Sequence, residues 1–233
     1  MNDSATLPGI NNRTERMLQI LVWVLAGIYL LNCLSPLRMH VDMLRYFAIK
    51  DCIEYGCPPD SEAARDYLPY GYTYLLIGLS KLGILRSAVI IFINCLYLLG
   101  SLYFVRKLFG LTRNFSLFAA LVLLNWTTIK FVAHPLSELQ YLFFSMASLY
   151  YFRSYTQKNE WRFLVLSVLA GGLAFLTRSV GVALAAALVM SLLWHHRAMI
   201  LEIVRKNRVL VILTALTVIG VVVFSRQLGL DHY

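Results

Sequence analysis

The chain has 233 residues, of which 59% are hydrophobic and only 14% charged, and its mean hydropathy is +0.67. One soluble core of this size cannot bury that much apolar surface, so a water-soluble globule is excluded and a polytopic membrane protein is expected. The net charge of +9 does not point to nucleic acid, because 12 of the 21 basic residues fall in four short clusters between apolar runs, as the positive-inside rule gives cytoplasmic loops.

Residues 1–16 read as a cytoplasmic N-terminus. The first apolar run, Met17 to Leu34, follows Arg13 and Arg16. No small-x-small cleavage site follows it, and "LLNC" ahead of Cys33 lacks the small residue of a lipobox, so it reads as an uncleaved first span. An outer loop is expected from 36 to 85. It carries six of the twelve acidic residues: Asp42, Asp51, Glu54, Asp60, Glu62 and Asp66. Within it, Val41 to Tyr55 spaces Val41, Leu44, Ala48, Cys52 and Tyr55 along one stripe and stops at Gly56, the pattern of an amphipathic helix lying on the membrane. Cys52 and Cys57 share this loop, where a disulfide and two free thiols are both open; Cys33 and Cys95 read as packing residues.

The stretch "PYGYTYLLIGLSKLGI", residues 69–84, is roughly 24 Å long as a helix, short of a hydrocarbon core of about 30 Å. Charge decides its place. If it spanned, Arg106/Lys107/Arg113, Arg153/Lys158/Arg162 and Arg197/Arg205/Lys206/Arg208 would all face opposite to Arg13/Arg16; if it lies in the interface, all four clusters face the cytoplasm. The second arrangement is the expected one. Further spans are placed near 86–105, 114–131, 135–152, 162–177, 179–194 and 208–225. The predicted fold is therefore an all-α membrane protein of about seven transmembrane helices, with interfacial helices in the first outer loop. Residues 17–225 form one module without internal repeats, and 226–233 form an outer tail.

Three ionisable residues stand out on the predicted outer side. Asp42 follows the first span and could act as a general base or a metal ligand, or be a solvated acid favoured in the first turn by the helix dipole. Glu138 opens a helix after Pro135 in "HPLSE", where the dipole alone would accommodate an acid; yet ionisable groups at membrane depth are expensive and mark functional paths. His134, four residues earlier, is expected on the same face. Arg178 lies in a turn between two apolar runs, where the positive-inside rule asks for no base. It reads either as a snorkelling residue or as a partner for a lipid phosphate, with Gly171 and Gly172 letting a neighbouring helix fix that turn. His195 and His196 have no acid or cysteine beside them, and no P-loop, GxSxG, HExxH or dinucleotide fingerprint is present.

Several segments together resemble the C-type fold membrane glycosyltransferases, which take sugars from polyprenyl-phosphate carriers. The acid after the first span is matched by Asp42 in "HVDMLRYFAIKDCIEYG", and the loop's proline-aromatic stretch by "DYLPYGYTYLLIGLSKLGI". The basic, glycine-containing turn is matched by "LYFVRKLFGLTRN", the acid-opened helix by "HPLSELQYLFFSMASLYYF", and the small-residue helix running into Thr-Arg by "LAGGLAFLTRSVGVALA". Order and spacing agree over residues 17–195.

The resemblance implies transfer of a sugar, with inversion, to a hydroxyl-bearing acceptor at the outer face of a bacterial inner membrane. It implies Asp42 and Glu138 as catalytic residues and Arg178 as a substrate-binding one; His134 and Tyr46 are expected beside them as further substrate-binding residues. The donor lipid and membrane lipids are the expected partners, and no nucleic acid. No cofactor is needed, though a divalent cation is compatible with the chemistry. Family members continue through further spans, so the likeness is to their N-terminal module, and a fragment, a truncated product or a compact relative is expected. Two rivals remain: a noncatalytic subunit that keeps the fold, and a lipid or solute transporter, which the scarcity of polar residues in the span middles, Asn94 and Asn125 apart, disfavours.

Overall fold

A computed structural model describes residues 12–38, 41–57, 61, 63, 69–111 and 114–198. Among the described residues the secondary structure is helical, with no strand. Helix α1 spans Asn12–Leu31 and runs into a 3-10 turn, Asn32–Leu34; α2 spans Val41–Tyr55 and α3 Gly71–Lys81. Helices α4 (Ser87–Phe109), α5 (Phe115–Leu124), α6 (Trp126–Ala133), α7 (Glu138–Lys158), α8 (Trp161–Thr177) and α9 (Gly181–His195) follow. The chain divides into two compact units at Ala186/Ala187. The architecture below is that of the first. In the second, the Arg197 guanidinium stacks over Trp194 at 4.4 Å.

α1 with its 3-10 turn and α4 are each 23 residues long and apolar enough to cross a membrane. α1 buries only Ala26 and Tyr29, leaving Ile20, Trp23 and Leu31 uncovered, which is how a lipid-facing helix reads. α5 and α6 qualify as a third span if taken together, but they bend by 65° at Asn125. The expected unbroken run over 114–131 is thus interrupted. Asn125 is extended and its side chain accepts from the Thr127 amide at 2.8 Å, capping a new helix where a continuous one had been expected. α8 and α9 are shorter apolar helices, of 17 and 15 residues. α3, at 11 residues, is about 16 Å long, well under a bilayer core. The expected span at 208–225 lies outside the described residues; among the described residues, two or three of the other six expected spans correspond to helices that meet the length and composition of a crossing.

Packing fixes the directions. α4 and α7 lie side by side and parallel, with Tyr97 against Phe143 (5.4 Å between ring centres) and Phe104 against Tyr150 (5.6 Å). Gly100 permits this approach, since a Cβ there would fall 2.5 Å from the Phe143 ring. α7 and α8 return antiparallel through a reciprocal serine pair: Ser148 Oγ donates to the Ser167 carbonyl at 2.8 Å, and Ser167 Oγ to the Ser148 carbonyl at 2.9 Å. α1 joins the core through Tyr29, whose hydroxyl donates to the Leu123 carbonyl at 2.7 Å. Around it pack Ile91, Cys95, Leu98, Leu123 and Val132, with Cys33 partly buried beside them.

The result sorts charge. Ser116 at the start of α5 donates to Glu15 in α1 at 2.7 Å, and Arg106 near the end of α4 covers Phe115 at 5.2 Å. Arg13, Arg16, Arg106, Lys107, Arg153, Lys158 and Arg162 therefore gather at one end of this unit. The opposite end is built from α2, α3 and the turns that open α7 and close α8. There a second core forms from Tyr46, Tyr72, Leu76, Leu79 and Ile90.

α2 has the predicted bounds but not the predicted packing face. Val41, Leu44 and Tyr55 are exposed, whereas Met43, Tyr46, Ile49 and Lys50 are buried. The apolar stripe is not what this helix turns inward. The face it turns inward combines Met43 and Ile49 with a phenol and a lysine whose polar ends find partners.

Candidate functional site

Two elements converge on α2 at its N-terminal half. The first is the turn from His134 to Ser137. Asn94 of α4 holds it by donating to the carbonyls of Val132 at 3.1 Å and His134 at 2.9 Å, groups that a helix end leaves without intrahelical partners. Pro135 within it is fully buried. Arg38 reinforces the turn by donating its backbone N–H to the Ala133 carbonyl at 3.2 Å. The second is the turn after α8. It is tightened by Thr177, whose hydroxyl donates to the Leu173 carbonyl at 2.7 Å, and by Gly181, where a Cβ would collide with the Phe175 backbone. Gly71 of α3 seats against this turn as well, since a Cβ there would fall 2.6 Å from the Leu176 carbonyl oxygen. The glycines that make close approaches here are thus Gly71 and Gly181. Of the expected pair, Gly172 faces open space and Gly171 is buried.

From these turns Glu138 and Arg178 meet. Arg178 Nη1 lies 2.5 Å from Glu138 Oε1, and both side chains are about one-third exposed, at 36% and 33%. The other carboxylate oxygen of Glu138, Oε2, is buried and has no hydrogen-bond partner among the described residues. Arg178 Nη1 also donates to Ser137 Oγ at 3.4 Å, and Ser137 Oγ shares a 2.9 Å hydrogen bond with the Tyr46 hydroxyl. One short chain of contacts thus joins α2, α7 and the α8–α9 turn.

Asp42 stands one helical turn before Tyr46 and is exposed. Its charge reaches the same phenol. Burial pushes the Tyr46 hydroxyl above its ordinary pKa; the Ser137 hydrogen bond pulls it down, Glu138 adds to the rise, Arg178 opposes it and Asp42 adds to it. Tyr72, edge-on to Tyr46 at 5.2 Å between ring centres, is held well above the usual tyrosine value by its complete burial, with Tyr97, Tyr46 and Glu138 contributing.

The predicted site residues are therefore placed as follows. Glu138 and Arg178 meet beside Ser137 and Tyr46, and Asp42 stands one helical turn before Tyr46 on α2. Tyr46, expected to contact substrate, is 6% exposed and commits its hydroxyl to Ser137, so it acts from behind the cluster. His134 does not share a helical face with Glu138, because α7 begins only at Glu138. It closes α6 instead, with Nδ1 donating to the Lys130 carbonyl at 2.5 Å. Ser137 was not singled out by the sequence. Its signal is its place before the acid in "PLSE", where serine normally caps a helix; here it makes no capping bond.

The C-terminal half of α2 carries a different arrangement. Lys50 is buried, and its ammonium lies 2.7 Å from both Asp51 and Glu54; Glu54 also accepts from Ser80 of α3 at 3.2 Å. Just beyond, Cys52 and Cys57 form a disulfide, which settles the two alternatives left open by their spacing. Among the described residues, no group of three or more His, Cys, Asp or Glu is disposed to hold a metal ion. Comparison with family models, with curated proteins and with solved structures finds no match to the chain.

Proposed function

We propose that the chain is a membrane glycosyltransferase module of the C-type fold, with about seven spans, that transfers a sugar from a polyprenyl-phosphate carrier to a hydroxyl-bearing acceptor at the outer membrane face. The observation that carries this reading is the Arg178–Glu138 pair seated on Ser137 and Tyr46, with the exposed Asp42 one helical turn before Tyr46 on α2, although the three lie far apart in sequence. The separation of that cluster from the basic end supports its outward placement in a bacterial inner membrane, because the basic end is the one the positive-inside rule assigns to the cytoplasm. The Cys52–Cys57 disulfide supports it independently, since disulfides persist in oxidising compartments.

In this mechanism Asp42 is the base. It is the exposed acid, whereas Glu138 has one oxygen on Arg178 and the other buried. Asp42 takes the proton from the acceptor hydroxyl while that oxygen bonds to the anomeric carbon from the face opposite the phosphate. The bond from that carbon to the phosphate oxygen breaks, and its electron pair remains on the phosphate. Arg178 neutralises the charge gained there, and Glu138 holds Arg178 in place. A single displacement of this kind inverts the sugar carbon.

The test is to supply the complete natural polypeptide, reconstituted in liposomes, with a polyprenyl-phosphate-linked sugar and an alcohol acceptor. Formation of an inverted glycoside is the expected result. No turnover with any of a panel of hexosyl and pentosyl donors contradicts the reading and favours a noncatalytic subunit.

A further inference from the structure

We infer that Ser137 and Tyr46 are positioning residues that set the plane of the Arg178 guanidinium and, through α2, its relation to Asp42; the inference rests on the reading above in treating Arg178 as the group that meets the donor phosphate.

Ser137 occupies the position before α7 where a serine hydroxyl ordinarily accepts from an amide of the first helical turn. It makes no such bond and is 1% exposed. Its oxygen is turned to Tyr46 at 2.9 Å and to Arg178 Nη1 at 3.4 Å instead. A hydroxyl withdrawn from capping and buried between a phenol and a guanidinium is placed for what it does to them.

The geometry explains what that is. Both N–H bonds of a guanidinium Nη lie in the plane of the group. A single acceptor, Glu138 Oε1, leaves that plane free to swing about the contact. Two acceptors on the same nitrogen, Glu138 and Ser137, define it. Among the described residues no contact reaches Nε or Nη2 of Arg178, so the edge suited to planar, paired recognition of a phosphate is the edge left over. Tyr46 holds the serine oxygen in turn, and its ring is itself fixed edge-on against Tyr72 at 5.2 Å. Asp42 lies one turn before Tyr46 on the same side of α2, so the hydrogen bond that holds Tyr46 also fixes which way that side is turned.

The experiment reads the guanidinium directly. Protein labelled with 15N at its arginine side chains is reconstituted in nanodiscs, and the Arg178 signals are assigned by their loss in Arg178→Lys. The wild type is expected to show separate, slowly exchanging Nη1 and Nη2 signals for this residue. Tyr46→Phe keeps the ring packed on Tyr72 and removes only the hydroxyl, so it tests the relay in a folded protein. In Tyr46→Phe and Ser137→Ala the two signals should merge, and in Ser137→Thr, which restores a hydroxyl, they should separate again. In the transfer assay the first two variants should raise KM for the lipid donor about tenfold and leave KM for the acceptor unchanged. Separate signals persisting in both Tyr46→Phe and Ser137→Ala overturn the inference. The expected merging together with no sugar transfer by any form supports the positioning role and counts against sugar transfer alone.

Discussion

Helix α2 touches two cation–carboxylate clusters, and they are built on opposite terms. At its C-terminal half Lys50 is buried, with its ammonium on two carboxylates and Glu54 tied to Ser80. At its N-terminal half the Arg178–Glu138 pair is one-third exposed, one carboxylate oxygen lacks a partner, and part of the guanidinium remains unengaged among the described residues. The first has the satisfied geometry of a structural fastening between α2 and α3, closed around Lys50 and Glu54 while Asp51 stays exposed. The second keeps hydrogen-bonding capacity unused among the described residues, which a fastening does not need and a binding site does. Charge pairing alone therefore does not distinguish architecture from chemistry; completeness and access do.

The contrast breaks most visibly in rate. Arg178→Gln removes the only cation seen in this cluster among the described residues, so sugar release should fall about 10³-fold, as for loss of a donor to developing transition-state charge. Arg178→Lys should recover part of that, because the charge returns without the planar fork. An equal loss in both would show that the fork's geometry matters as much as its charge. Full activity in Arg178→Gln removes Arg178 from the site.

Lys50→Met should do the reverse. It leaves the buried Glu54 carboxylate without its cation, at a cost of about 3 kcal/mol in stability, seen as a lowered thermal unfolding midpoint, with activity per folded molecule unchanged. Activity that falls further than the folded fraction would mean the two clusters are one. A smaller loss, about 2 kcal/mol, is expected on reducing the Cys52–Cys57 disulfide, since it closes a short loop. After reduction both thiols should react with a membrane-impermeant reagent from outside intact cells. Labelling only from the cytoplasmic side would invert the proposed orientation.

The smallest effect is that of pH. Hydrogen bonds to Asp51 and then Glu54 raise the Lys50 pKa above its ordinary 10.5, against the opposing pull of burial. A raised lysine pKa contributes stability that is fully present below that ordinary value and is lost as pH climbs through the folded one. The thermal midpoint of the wild type should thus decline above about pH 10.5 more steeply than that of Lys50→Met.

How far the sequence reached depends on where each residue's partner lies. The bounds of α2 were legible because Asp42 in its first turn and Gly56 after its last are local signals. The membrane character and the turn at Arg178 were legible because composition and hydropathy change there. The buried face of α2 was not, since it mixes Met43 and Ile49 with Tyr46 and Lys50, and the Tyr46 hydroxyl finds its partner in Ser137, 91 residues away. Apolar periodicity has no access to such a partner. The break at Asn125 was missed for a related reason: a hydrophobic window averages over one asparagine, while the backbone there follows a single capping bond. Ser137 escaped notice because a serine before a helix acid is the commonest of helix starts, and only the tertiary structure shows its hydroxyl employed elsewhere.

Asp42 and Asp51 are both exposed acids on α2, and they differ in the cluster beside them: Asp42 bears on Tyr46, while Asp51 lies on Lys50, which keeps Glu54 if Asp51 is lost. The most direct test of the account is the initial rate of sugar release from a polyprenyl-phosphate donor, measured in liposomes for Asp42→Asn and Asp51→Asn side by side, with far-ultraviolet circular dichroism confirming that each is folded. A loss of about 10² to 10⁴ is expected for Asp42→Asn and a rate within about twofold of wild type for Asp51→Asn. Wild-type turnover in Asp42→Asn, or equal losses in the two variants, would contradict it.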